Sequence, residues 1–302
     1  MVVTQETAIK PSVGDKIFDI VNYTLLSLVL FIVLYPLYFV LIASLSNASA
    51  VLNGEVWFWP KDITLAAYEQ IFNNKDLLVG YGNTILYTVF GTSINLLMTI
   101  IAAYPLSRKD FYGRNVLTAV FVFTMFFSGG LIPTYLLVKK LGMINTIWAM
   151  VLPNAVSVYN IIIMRTFFQT AIPIEIQESA MIDGCSNLKI LIRIVLPLSA
   201  PIIAVMILFY AVGHWNSYFS ALIYLTDRAK FPLQLYLREI LIQGQVSQLM
   251  EGADELARMK KALDSETLKY AVVLFANLPV LLLYPFLQKY FVKGMVIGAI
   301  KG

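Results

Sequence analysis

Charged side chains are scarce in this sequence. Asp, Glu, Lys and Arg make up 13% of its 302 residues, whereas a soluble domain carries roughly 25%. Hydrophobic residues make up 59%. The shortage of charge excludes an ordinary soluble globular protein and predicts an integral membrane protein. The net charge is only +4, and no basic stripe with interleaved aromatic residues is present, so nucleic acid is not an expected partner.

Cysteine and histidine are almost absent. The lone Cys185 excludes a disulfide framework, and the lone His214 excludes a metal site built from several histidines. A serine nucleophile would need a base, and His214 has no carboxylate nearby in sequence. No GxxxxGK[ST] motif occurs, so the chain does not bind ATP through a P-loop. We therefore predict no catalytic residues, no metal and no cofactor in this chain.

Six runs without a charged residue are long enough to cross a bilayer, which takes about 20 apolar residues as a helix. They lie within 20–54, 77–107, 115–138, 141–164, 194–226 and 270–288. None alternates as a barrel strand would. Since proton-coupled carriers usually need an ionisable relay inside the membrane, these runs argue against such a carrier. The sequence thus predicts an all-α integral membrane protein with six transmembrane helices and both termini on one side.

Uncharged polar and aromatic side chains interrupt the fourth and fifth runs. Together they suit a pathway for a neutral polyhydroxyl solute, because aromatic rings stack on sugar faces. The alternative is that such residues join helices by hydrogen bonds, as they often do in membranes. The candidate pathway residues are Tyr159, Asn160, His214, Trp215, Asn216 and Tyr218. In the third run, Gly129 and Gly130 precede Pro133, which predicts a kink.

A charged insert, 171–198, separates the fourth and fifth runs. We expect a short helix from Ile174 to Asp183 with Ile174, Met181 and Ile182 on its apolar side. Gly184 permits the left-handed turn that ends this helix. Ser186 can cap a second helix. The pattern predicts a helix–turn–helix elbow on the membrane surface, able to pass motion from a partner into the fifth span.

The insert resembles the EAA loop of ABC-type importer permeases of the maltose-type carbohydrate-uptake family. That signature has a Glu-Ala-Ala triplet, a glycine six residues after the glutamate, and then Ile-x-Leu-Pro. The residues at those spacings are Glu178, Ala180, Gly184, Ile194, Leu196 and Pro197, with Ser179 in place of the first alanine. Further similarity lies in IPIEIQESAMIDG, LPLSAP, WNSYFSALIYL and the terminal GAIKG. The segment REILIQGQ is similar to the oligosaccharide branch.

The resemblance implies a type I importer half whose elbow is a cytoplasmic coupling helix. It implies ATPase-coupling roles for Glu178, Ser179, Ala180, Asp183 and Gly184. The implied partners are a second, homologous permease forming a heterodimer, two ATPase subunits that use ATP and magnesium, an extracellular substrate-binding protein, and membrane lipid. The implied location is a bacterial plasma (inner) membrane, with both termini cytoplasmic. Lys and Arg are equally numerous on the two sides, but seven of the outer ones lie in the long loop between the fifth and sixth runs, so the positive-inside rule alone slightly favours a cytoplasmic N-terminus.

We therefore expect one transmembrane permease domain over 1–302, with a cytoplasmic segment at 1–17, the coupling loop at 171–198 and a long external loop at 227–268. Its expected function is to form half of an ATP-driven path for an oligo- or polysaccharide. Three alternatives stay open: an importer for another uncharged or polar solute, an ion-coupled secondary transporter, and a membrane scaffold without a path. The external loop is either a solvated cap or a docking surface.

Overall fold

A computed structural model describes residues 12–249 and 266–282, and the regular structure in these ranges is helical. The first helices are α1 Val13–Ser44, α2 Ala48–Leu52, α3 Ala66–Asn73, α4 Lys75–Ser107, α5 Arg114–Phe126, α6 Leu131–Lys140 and α7 Ile147–Val151. They are followed by α8 Val158–Ala171, α9 Ile174–Ile182, α10 Asn187–Ile190, α11 Leu196–Leu198, α12 Ala200–Trp215, α13 Phe219–Tyr224, α14 Leu233–Leu249 and α15 at 266–282. The all-α prediction is confirmed.

The described residues form two compact units. The first comprises 12–68 and 266–274. In it, α1 begins with a capping box in which Ser12 and Asp15 bond each other's backbone N–H groups at 3.1 and 2.8 Å. Most α1 side chains beyond this cap are apolar and exposed, as expected of a helix that meets lipid.

The second unit comprises 69–249 and 275–282 and is organised around α4. Helices α8, α12 and α14 all pack against α4. Its buried residues include Thr84, Tyr87, Asn95 and Thr99, so this helix carries a polar stripe into the core. Burial of such groups is costly unless they are hydrogen-bonded, and each of these four side chains forms a hydrogen bond.

The N-terminal half of α4 is bonded to the chain segment that precedes α14. Asn83 Nδ2 donates to the carbonyl of Ala229 at 2.8 Å, and the Tyr87 hydroxyl donates to that of Lys230 at 2.8 Å. The backbone N–H of Leu233 donates to Thr84 Oγ1 at 2.8 Å. These bonds fix the start of α14 on α4.

Two helices of the described residues, α1 and α4, are each long and apolar enough to cross a membrane, and up to five spans result if each of three bent pairs counts as one. The predicted kink near Gly130 is a complete break, with α5 and α6 bent by 109°. Gly130 there has a φ of 88°, a conformation that glycine adopts readily. The predicted sixth run, 270–288, extends beyond the described residues, as do parts of the predicted segments 1–17 and 227–268.

Candidate coupling elbow and polar pocket

In the segment predicted to be the elbow, the structure has a helix, a left-handed turn and a second helix. Asp183 follows α9, and Gly184 has a φ of 78°. The N–H of Cys185 donates to the Ala180 carbonyl at 2.9 Å, and that of Gly184 to the Met181 carbonyl at 3.0 Å. This pair of bonds is a Schellman motif, which glycine stabilises. Ser186 Oγ then accepts from the N–H of Lys189 at 3.4 Å and caps α10.

The direction that α9 faces differs from the expectation. The sequence pattern places Ile174, Met181 and Ile182 on the apolar side of α9, but all three are exposed in the structure, Ile182 by 87%. The buried side chains are Gln177 and Ala180. Gln177 belongs to the polar side of the predicted helix, yet it faces inward because it bonds to a polar partner far away in sequence. Glu178, Ser179 and Asp183 consequently lie exposed on the other side.

The partner is Arg108, at the end of α4. Its Nη1 donates to Gln177 Oε1 at 2.7 Å, and its Nη2 lies 3.3 Å from Met181 Sδ. Nε and Nη2 also donate to the two carboxylate oxygens of Asp110, each at 2.9 Å. The hydrogen bonds from Arg108 hold the pKa of the Asp110 carboxyl below its ordinary value, so this pair remains ionised at neutral pH. The guanidinium therefore joins α9 to α4 in a fixed orientation.

A groove of about 820 Å³ lies beside the elbow. The basic residues Lys109 and Arg114 line one part of it, and the acidic residues Glu175 and Glu178 line another. The groove and the exposed face of α9 together present charges of both signs for a partner protein.

A smaller polar pocket of about 310 Å³ lies between α4, α8 and α12. His214 Nε2 lies 2.6 Å from Asn95 Oδ1, so this nitrogen is the donor of the bond. Asn95 Nδ2 donates to the Asn154 carbonyl at 2.6 Å. Asn160 and Tyr210 also line the pocket. Neutral donors and acceptors beside aromatic rings are suited to a hydroxyl-rich ligand.

The other four pathway candidates do not line this pocket. Trp215 is buried, donates from Nε1 to the Ala276 carbonyl at 2.8 Å, and meets the Tyr81 ring edge to face. Asn216 is exposed and bonds to the Val212 carbonyl at 2.9 Å. Tyr159 and Tyr218 are exposed by 60% and 43%. The structure thus brings Asn160 and His214 together, and a pathway role for the other four stays a prediction.

Asn95 and Thr99 of α4 are functional candidates that only the structure reveals. Thr99 Oγ1 lies 2.6 Å from the Tyr210 hydroxyl and donates to the Asn95 carbonyl at 2.7 Å. A signal for them exists in the sequence, since Thr84, Gly91, Asn95 and Thr99 recur at helical spacing within an apolar run. Arg108 and Gln177 carry no such local signal.

Comparison with known proteins covers most of the chain. A family profile described as "Binding-protein-dependent transport system inner membrane component" matches residues 95–297. The chain is 43% identical over 290 residues to Protein LplC of Bacillus subtilis (strain 168), covering 96% of each protein. It is 42% identical over 297 residues to the polygalacturonan/rhamnogalacturonan transport system permease protein YtcP of the same organism, covering 95% of this chain and 99% of that one.

A solved structure is similar in fold. It is the crystal structure of a bacterial ABC transporter involved in the import of the acidic polysaccharide alginate, and one of its chains aligns with a TM-score of 0.83. The identity is 34%, and the alignment covers 94% of this chain and 99% of that chain. The elbow and the polar pocket both lie within the aligned family region.

Proposed function

We propose that this chain, which belongs to the family of binding-protein-dependent transport system inner membrane components, forms half of the path of an ATP-driven carbohydrate importer. It is a transport permease and not an enzyme. The observation that carries the proposal is the elbow. Its Ala180 side is buried against the permease, and its Glu178 side is exposed for a partner.

The proposed substrate is an oligo- or polysaccharide. Two similar proteins have names or titles that specify polysaccharides, a polygalacturonan/rhamnogalacturonan permease and an alginate importer. The pocket around His214 and Asn95 supports a sugar as ligand, because its amides, hydroxyls and imidazole can form hydrogen bonds with sugar hydroxyls. We propose that sugar hydroxyls replace some of these bonds during passage.

The proposed assembly has this chain beside a second, homologous permease. The complex contains two ATPase subunits that hydrolyse ATP with magnesium, and one of them binds at the elbow of this chain. A substrate-binding protein docks outside. We propose six spans with both termini in the cytoplasm of a bacterial cell: α1, α4, the α5–α6 pair, the α7–α8 pair, α12 with α13, and a last span that begins in α15. The 83° bend between 187–198 and α12 supports an elbow that lies along the membrane surface.

Purification of the tagged chain from native membranes, followed by mass spectrometry, tests the assembly. Recovery of a P-loop ATPase and a second membrane permease is the expected result. Uptake of labelled oligosaccharides into liposomes that contain the purified complex should require ATP and the binding protein. Uptake by the chain alone, driven by an ion gradient, would replace this proposal with a secondary transporter.

Charge reversal at Glu178 tests the docking surface. The resemblance to the EAA loop implies that Glu178 meets a basic residue of the ATPase. Glu178→Arg should therefore lower the amount of co-purified ATPase about tenfold or more, because like charges across an interface cost several kcal/mol. Glu69→Arg is the matched control, since Glu69 is an exposed acid of α3 that lies outside the elbow and its groove. Equal recovery of the ATPase with Glu178→Arg and with the unmodified chain would remove Glu178 from the interface.

A further inference from the structure

The two ends of the elbow have different connections to the rest of the second unit. Beyond the turn, α10 and α11 lead directly into α12 through the chain itself. Before the turn, α9 has a second, non-covalent connection, which runs to α4 through Arg108. Movement of α9 can therefore be transmitted in two ways, to α12 along the chain and to α4 through Arg108.

The second route has the properties of a rigid joint. The Arg108 side chain is only 10% exposed, and four of its contacts leave the guanidinium little freedom. Gln177 and Met181, the two α9 residues that it meets, are one helical turn apart, so they resist rotation of α9 as well as its separation from α4.

The C-terminal end of α4 is held on another side by α8. Arg165 Nε donates to the Leu106 carbonyl at 3.0 Å, and Gln169 Nε2 donates to the Ser107 carbonyl at 3.3 Å. Arg108 thus sits where α4, α8 and α9 converge. Asn95 of the same helix α4 forms part of the wall of the polar pocket. Displacement of the end of α4 at Arg108 therefore also displaces the wall of the proposed path.

We infer that Arg108 is a positioning residue for energy coupling. Through Gln177 it makes α9 and α4 move as one body. Movement of the ATPase is then transmitted to the Asn95–His214 pocket through α4 as well as through α12. This inference rests on the proposed function. It assigns Arg108 no contact with the solute or with the ATPase.

The experiment uses the complete complex, purified through this chain and reconstituted in liposomes. Arg108→Ala and Gln177→Ala should each retain co-purified ATPase but lower the ratio of solute imported to ATP hydrolysed by roughly fivefold or more, the size of a typical coupling between sites. The double variant should be no worse than the worse single variant, because each single variant already removes the Arg108–Gln177 bond. Gln177→Glu should keep the ratio near that of the unmodified complex, since a carboxylate can still accept from Arg108. Lys75→Ala, at an exposed position at the other end of α4 and outside the groove, is the control.

A distance measurement separates coupling from simple folding. In a Cys185→Ser background, spin labels on exposed Ile182 of α9 and exposed Ile101 of α4 report the separation of the two helices. This separation should be the same in the nucleotide-free and the ATP-trapped complex, and it should differ between those states in Arg108→Ala.

Three outcomes would overturn the inference: an unchanged import ratio in Arg108→Ala, a separation that changes with nucleotide in the Cys185→Ser complex that retains Arg108, or loss of the ATPase from both alanine variants, which would make Arg108 a folding residue. Failure of the unmodified chain to co-purify with an ATPase would instead refute the proposed function itself.

Discussion

Replacing Gly91 with alanine should abolish most uptake. A Cβ at this position of α4 would lie 2.5 Å from both Cε1 and Nε2 of the His214 ring. The ring cannot move aside without losing its bond to Asn95, which lies 2.6 Å from Nε2. Overpacking of this kind costs about 1–3 kcal/mol, and it occurs at the wall of the polar pocket. Uptake by the reconstituted complex and its thermal unfolding midpoint are the measurements.

Gly82→Ala is the matched control, because Gly82 belongs to the same helix and a Cβ there would meet nothing within 4 Å beyond the backbone of its own helix. A second substitution identifies the cause. His214→Ala in the Gly91→Ala chain removes the clash and should raise the unfolding midpoint above that of Gly91→Ala alone. Normal uptake by Gly91→Ala would show that the ring is free to move and that the pocket does not depend on its position.

Gly184→Val should uncouple or dissociate the ATPase. The φ of 78° at this position is costly for any residue with a Cβ, by roughly 1–2 kcal/mol, and more for a β-branched one. The simplest relief is to open the Schellman turn, which would release the Cys185 to Ala180 bond and change the angle between α9 and α10. The expected result is ATP hydrolysis without matching import, or loss of co-purified ATPase.

Gly184→Asn separates backbone strain from side-chain bulk. Asparagine tolerates the left-handed conformation far better than valine, and open space surrounds the position. Gly184→Asn should therefore retain most coupling, measured as import per ATP hydrolysed. If the asparagine and valine variants fail equally, the glycine is needed for close approach of a partner and not for the turn.

The elbow is predictable because its determinants are local. Pro173, Gly184 and Ser186 act on the backbone within a few residues of themselves, so their sequence positions predict where α9 ends and α10 begins. The residues of the motif around Glu178 are likewise close together in sequence, so their spacing alone indicates the family. Hydrophobic runs likewise predict an all-helical membrane fold.

The inward face of α9 is not predictable from such patterns. The bond from Arg108 to Gln177 spans 69 residues, and Gln177 is an ordinary exposed residue by type. Local amphipathicity favours Ile174, Met181 and Ile182 instead, because it ignores long-range polar partners. The pairing of residues in the polar pocket is also not predictable from local patterns. His214 stands out within its own run, but its partner Asn95 lies 119 residues earlier in the chain.

The bonds between α4 and the segment before α14 also constrain the order in which this protein is made. Asn83 precedes its partner Ala229 by 146 residues. At about 5–20 residues per second, the ribosome delivers that partner roughly 7–30 s after Asn83. Until then the Asn83 amide and the Tyr87 hydroxyl must find water or insertion machinery as partners, since unpaired polar groups in lipid are costly. The bonds of α4 to this segment can therefore all form only after translation has passed Leu233.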